Sequence, residues 1–173
     1  DAEPLADFTA PMAEQLSFVD FSKLRHFLTM ERRPIEANWK ICTENTMEPY
    51  HVPYVHKDTA AGQPLGLHYM VEQDPIVGCA IDIDEQPHKT ARGRDICLDI
   101  SARYLLLFPN FLFFIYFGED THINVMLNRP VAPGQTHQRR VIYQLDGARP
   151  DEDTIEKWRA LTKDVIAEDR SMV

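Results

Sequence analysis

The chain has 173 residues, 44% of them hydrophobic and 26% charged, with 18 Lys and Arg against 27 Asp and Glu for a formal net charge of −9. That length suits a single domain, residues 1–173, able to bury a sizeable core. The acidic balance, without a Lys/Arg cluster, speaks against nucleic acid or an anionic membrane as partner, and no run of roughly 18 apolar residues is present to make a transmembrane helix.

Residues 1–20 read as an irregular lead-in with Pro4 and Pro11 and weak patterning. Leu24 to Arg33 partly alternates and predicts a strand. Asn38 to His56 predicts a helix with Asn38 as N-cap, disturbed by Pro49 and Pro53. After a turn-rich loop from Ala60, Gly66 to Asp74 and Gly78 to Asp84 predict two strands about a turn at Asp74-Pro75, and residues 85–97 give no clear element. Asp99 to Phe108, Phe111 to Phe117, Ile123 to Arg129 and His137 to Leu145 are four β-type segments. Pro109-Asn110, Gly118-Glu119-Asp120 and Pro133-Gly134 punctuate them, and connections this short imply antiparallel hairpins. Beyond Pro150, Asp151 to Asp153 supply an acidic helix start, and a helix runs towards the C-terminus. The expected class is α+β.

The most informative segment is Asn38 to His56. His51 and His56 lie five apart, about 140° around a straight helix, which is too far to share a metal easily. Pro53 lacks the N–H that would bond Pro49, so a bend there could swing His56 back towards His51. Two ordinary partly buried histidines remain the bland alternative. On the last helix, Ile155, Trp158, Leu161, Val165 and Met172 mark one apolar face. Asp169 falls inside that arc, whereas Asp164 and Glu168 fall outside it or at its edge. A carboxylate pointing into a core needs a strong partner, either a buried cation or an arginine. Two histidines and one carboxylate would make a facial triad, the ligand set that leaves open positions on Fe(II). The remaining histidines, His26, His68, His88, His122 and His137, lack ligand spacing and read as surface or structural.

The run Glu44-Asn45…Glu48-Pro49-Tyr50-His51-Val52-Pro53-Tyr54-Val55-His56 resembles the acid-x-x-His-x-x-x-x-His pattern of Rieske non-haem iron oxygenases, in the catalytic domain of their α subunits. Asn38-Trp39-Lys40, Pro109-Asn110, the Pro130 to Thr136 turn and Glu168-Asp169 are similar to further landmarks of that family. The resemblance implies a helix-grip (START-like) fold, an antiparallel sheet wrapped around a long C-terminal helix. It implies His51, His56 and Asp169 as ligands of mononuclear Fe(II), and Glu48 as the acidic link to a neighbouring subunit's Rieske cluster. Many family members have Asp at that position. Asn45 and Tyr50 are expected just behind the ligands.

A [2Fe–2S] Rieske centre needs two Cys and two His, in this family as Cys-x-His and Cys-x-x-His. Cys42, Cys79 and Cys97 have no histidine at +2 or +3, so the cluster is expected in an N-terminal Rieske domain outside this chain. Three cysteines without CxxC spacing suit neither a disulfide framework nor a thiolate zinc site and point to a reducing cytoplasm. Leu105, Leu107, Phe108, Phe111, Phe113 and Met126 are the expected lining of a largely apolar substrate cavity. The implied partners are a small organic substrate, O₂, a reductase or ferredoxin donor, and further copies in a ring, a trimer with or without a second subunit type. Ring dihydroxylation of an aromatic comes first among activities. Monooxygenation with demethylation of a quaternary amine or methoxy compound comes next, then a non-catalytic hydrophobic-ligand binder or a zinc hydrolase.

Overall fold

The structure is a computed structural model that describes residues 2–57, 65–82, 88–89, 95–96, 101–117, 121–145 and 150–169. Met172, Cys97 and the Gly118-Glu119-Asp120 turn lie outside the described residues. In chain order the elements are α1 (Leu5–Gln15), β1 (Leu24–Ile35), α2 (Trp39–Met47), α3 (Val52–Val55), β2 (Tyr69–Gln73) and β3 (Ile76–Ile81). There follow β4 (His88–Lys89), β5 (Asp95–Ile96), β6 (Ser101–Leu107), β7 (Phe111–Phe117), β8 (His122–Ala132), β9 (Gln135–Leu145) and α4 (Glu152–Asp169). Seven strands form one sheet in the order β1-β9-β8-β7-β6-β3-β2, with β4 and β5 as a separate ribbon. Every pairing is antiparallel. The α+β, helix-grip expectation therefore holds.

The lead-in is not irregular. Phe8, Met12 and Leu16 recur at steps of four and form an apolar stripe, which α1 lays against Val71, Ile76, Ala80, Leu105, Leu107, Ile115 and Ile123. Pro4 and Pro11 read as breakers, yet Pro4 stands at the N-cap and only Pro11 lies within the helix. On the opposite face of the sheet, Ile155 and Trp158 of α4 pack on Phe27, Leu28 and Ile142. Thr162, not Leu161, is the buried residue at the middle of α4, and Leu161 is 48% exposed.

Both faces of the sheet are thus covered, and this overturns the expected cavity lining. Leu105, Leu107, Phe111 and Phe113 point to the α1 side. Phe108 sits in the β6–β7 turn, 62% exposed. Met126 is on the opposite face but sealed beneath Leu106, Leu112 and Phe114. A sheet buried on both sides has near-continuous apolar strands, such as Phe111-Leu112-Phe113-Phe114-Ile115, and alternation carries no clue to which parity faces a ligand.

Polar bonds fix α2 on that second face. Asn38 Oδ1 accepts from Lys40 N (2.9 Å), the expected cap, while its Nδ2 donates to Pro133 O (2.8 Å). The fully buried Asn128 of β8 donates from Nδ2 to Thr43 Oγ1 (3.2 Å) and accepts at Oδ1 from Gln138 Nε2 (2.9 Å). Cys79 Sγ donates to Met47 O (3.1 Å), and burial pushes that thiol up to about 11.

Candidate metal centre

Helix α2 ends at Met47 for a local reason. Pro49 has no N–H and its ring crowds the carbonyl four residues back, while Glu48, the residue before it, is driven to extended backbone at φ −94°, ψ 132°. The chain restarts at once as the single turn α3, closed by Val55 N to His51 O and His56 N to Val52 O, each 2.9 Å. Pro53 sits in the first turn of α3, where its missing N–H costs nothing, so the bend falls at Glu48-Pro49 and not at Pro53. His56 leaves helical backbone at ψ 57°, and the two imidazoles stand 5.1 Å apart between centroids.

The imidazoles meet through their Nε2 atoms, 3.2 Å apart. Asp169 Oδ1 at the end of α4 lies 3.2 Å from His56 Nε2 and 3.9 Å from His51 Nε2. The three side chains offer ligand atoms that all lie within 4.8 Å of one another. Both Nδ1 atoms are turned away from this point and held by carboxylates. Glu48 Oε1 bonds His51 Nδ1, and Glu168 Oε2 bonds His56 Nδ1 at 3.1 Å. With Nδ1–H donating to a carboxylate, each Nε2 presents a bare lone pair, the form a cation needs. The donor set of two imidazoles and a carboxylate therefore fits a divalent metal.

The charge balance agrees. Burial pushes the Asp169 carboxyl up, but hydrogen bonds from His56 and Asn45, with the charges of His56 and His51, outweigh it and hold the group below its usual value. The Asp169 bond in turn raises His56, with desolvation opposing and Glu168 assisting. Without a cation, a proton shared among these groups is the available counter-charge.

Asn45 stands directly behind the site, donating from Nδ2 to Asp169 Oδ1 at 3.2 Å. Tyr50 does not: the residue is 71% exposed, and its contribution is a backbone N–H to Glu48 Oε2 at 2.7 Å. His51 N reaches the same oxygen at 3.2 Å, so Glu48 fixes the turn that leads into α3 as well as holding His51. Glu168 is the residue that sequence patterning set aside. The signal for it was the acid pair itself, since neighbours 100° apart at a helix end can flank one histidine from two sides.

Above the triad lies a cavity of about 460 Å³ between the sheet, α2, α3 and α4. Its lining includes Glu48, His51, His56, Cys79, Tyr104, Phe114, Asn124, Arg140, Trp158, Leu161, Val165 and Asp169. Cys79, Tyr104, Phe114 and Asn124 follow one another across four paired strands and form a single transverse row of the floor. None of these four was picked out by sequence. His122 is buried against Phe27 and Trp158, in keeping with a structural role.

Residues 21–173 match the family described as ring hydroxylating alpha subunit (catalytic domain). The chain belongs to this family. Curated relatives include a chloroplastic choline monooxygenase of Atriplex hortensis, 28% identical over 166 residues, covering 95% of this chain and 36% of that protein. The corresponding protein of Spinacia oleracea is 28% identical over 158 residues, 91% of this chain and 34% of that one. The chain thus spans little more than a third of the curated relatives it matches. Among solved structures, the quaternary ammonium Rieske monooxygenase CntA superposes with a TM-score of 0.77 at 19% identity, over 100% of this chain and 45% of that one. Pseudomonas putida CBB5 NdmA with caffeine gives 0.60 at 17% identity, over 90% of this chain and 44% of that one. These structural likenesses establish the shared fold. No helix among the described residues is long and apolar enough to cross a membrane.

Proposed function

We propose that this catalytic domain binds Fe(II) through His51, His56 and Asp169 and serves an O₂-dependent monooxygenation of a quaternary ammonium substrate. The observation that carries the metal is the convergence of two Nε2 atoms and one Oδ1 with both Nδ1 atoms tied to carboxylates. Bound iron would supply open positions for O₂ and substrate beside the three protein ligands. The protein's own part is to hold the imidazoles in one tautomer, to place the substrate and to keep bulk water from the cavity. Overall, a C–H bond, O₂, two electrons and two protons become C–OH and water.

Ring dihydroxylation, placed first by the sequence, gives way here for two reasons. The cavity wall carries Tyr104, Phe114 and Trp158 near the carboxylates of Glu48 and Asp169, surroundings that favour an organic cation. The matched relatives named choline monooxygenase, and the superposed CntA, are quaternary-amine enzymes by name. Electrons would come from a [2Fe–2S] Rieske cluster in a domain outside this chain, fed by a reductase or ferredoxin, with Glu48 on the path from a neighbouring subunit.

The test uses the full-length protein, reconstituted anaerobically and analysed for iron and zinc. His51→Ala, His56→Ala and Asp169→Ala should each lose stable iron while keeping secondary structure by circular dichroism. Turnover under ¹⁸O₂ should place one labelled oxygen in product and one in water. Two labelled oxygens in product would restore dihydroxylation, and full iron occupancy in Asp169→Ala would overturn the ligand set.

A further inference from the structure

Along α4 the face of the sheet beneath the helix changes character. The row shared by β1 and β9 runs from the pair Leu28–Ile142, on which Ile155 is seated, through Met30–Arg140 to Arg32–Gln138. By the period of two along a strand, Met30 and Arg32 share the face of Leu28, and Glu31 falls on the other. One and two turns beyond Ile155, α4 brings Arg159 and Lys163 to the same space. Between the two walls lies a cleft of about 480 Å³, distinct from the cavity above the triad except that Arg140 and Thr162 border both.

Among the described residues lining this cleft, Arg32, Arg140, Arg159 and Lys163 stand against a single acid, Glu31, a local reversal of sign in a chain of net charge −9. Arg140 is engaged through Nη2 with Met126 Sδ at 3.8 Å and adds charge without serving as a donor. Arg159 pairs with Glu156 and Glu152, but those carboxylates are 60% and 79% exposed, where solvent screens an ion pair heavily. Lys163 forms no ion pair among the described residues. Cations on facing walls repel, and an anion between them turns that repulsion into attraction. Guanidinium and ammonium donors on opposite walls suit a tetrahedral dianion, which offers oxygens to both, better than a carboxylate whose two oxygens one guanidinium already satisfies. The volume lies in the range of small-molecule sites, roughly 300–1,000 Å³, and Met30, Ile166 and Ala167 give it an apolar part for an organic portion.

We infer that this cleft is a binding site for a small phosphate monoester, which bridges Arg32 of β1 to Arg159 and Lys163 of α4. The bridge has a consequence for the helix. Its apolar seat, Ile155 and Trp158, belongs to the first half of α4, whereas Ile166 and Ala167 of the cleft directly precede Glu168 and Asp169. An anion held between the walls ties down the half of α4 that lies beyond the hydrophobic cluster and carries the carboxylates of the triad.

The test is calorimetric titration of the full-length protein with glycerol 2-phosphate, using acetate and glycerol as references, together with amide hydrogen exchange along α4. The ester should bind at one saturable site, about tenfold or more tightly than acetate, with no binding of glycerol and with affinity falling as sodium chloride is raised. Lys163→Gln and Arg32→Gln should each weaken it about tenfold or more, and Lys163→Arg should stay within about threefold. Lys157→Gln, at an exposed position of the same helix, should bind as the wild type does. Lys163 is exposed, so its variants keep the test decisive should Arg32→Gln fail to fold. Saturation should slow exchange across residues 159–169 in the wild type and not in Lys163→Gln. No binding, equal binding of ester and acetate, full affinity in Lys163→Gln, or unchanged exchange in α4 would overturn the site. Capture by vesicles containing phosphatidic acid without binding of the soluble ester would overturn it as well. None of these readouts needs a metal, so failure of the proposed ligand set leaves the cleft standing, and failure of the cleft leaves the ligand set standing.

Discussion

Glu168 offers the sharpest test of how the site is held. Its Oε2 lies 3.1 Å from His56 Nδ1, and its side chain is 17% exposed against 40% for Glu48, so solvent screens its charge less. Removing an outer-shell partner of a metal-ligating histidine typically costs about 10–100-fold in metal affinity, about 1.4–2.7 kcal/mol. Glu168→Gln keeps an acceptor oxygen and loses only the charge, so about tenfold is expected. Glu168→Ala also frees the His56 ring to turn and should approach about a hundredfold. Fe(II) affinity of the full-length protein, measured anaerobically by competition with a chromophoric chelator, reads both. Wild-type affinity within twofold in both variants would refute the argument. Complete loss in Glu168→Ala, matching Asp169→Ala, would make Glu168 a ligand and not a support.

Glu48→Gln should retain iron and fold yet transfer electrons poorly; single-turnover oxidation of a pre-reduced cluster, with substrate and O₂ added, checks it against the wild type. Because Glu48 Oε2 already accepts from Tyr50 and His51 N–H, Glu48→Ala should in addition raise the protease sensitivity of the 48–56 segment, read by limited proteolysis. The active full-length protein should sediment as a ring of three α subunits or a multiple of it, and a fully active monomer in analytical ultracentrifugation would contradict delivery across a subunit boundary. Cys79, its thiol pushed up to about 11 from 9.0, should alkylate about a hundredfold more slowly at pH 8 than an ordinary thiol, with the rate still rising above pH 10; mass-resolved iodoacetamide labelling reads it.

The strands were legible because turn residues bracket them: Asp74-Pro75, Pro109-Asn110 and Pro133-Gly134 each stand between paired strands. Asn38 and Asp151 announced their helices through short polar side chains, which indeed accept from Lys40 N and Thr154 N. The features that stayed hidden have one thing in common, since each depends on what lies across the fold. Pro11 reads as a breaker until α1 is seen packed on the sheet, where burial of Met12 and Leu16 outweighs it. The parity of the β6 and β7 side chains is undecidable when both faces are apolar, so Leu105 and Phe113 read as cavity lining while Tyr104 and Phe114, which do line it, were not singled out. Glu168 needed the position of His56, 112 residues earlier, to acquire a role.

The histidines owe their convergence to the supports around them more than to their own helix, which is a single turn. One support is the sheet: Asn128, Gln138 and Thr136 grip α2 through Thr43 and Ala37, and Asn38 ties its start to the β8–β9 turn. The other is α4, seated by Ile155 on Phe27, Leu28 and Ile142, which delivers Glu168 and Asp169 together. Asn45 joins the two by bonding Asp169 across 124 residues of sequence. A ligand set spread over separately anchored elements is more rigid than one carried on a loop, because each anchor fixes a different side chain. The price is a carboxylate pair and an imidazole pair packed together, and in the absence of a cation only hydrogen bonds and shared protons offset that crowding of like groups. On the proposed reading, a divalent metal would replace the shared proton with a stronger counter-charge at the point that the His51, His56 and Asp169 atoms face, so the same contacts that order the site would also bias it towards being filled.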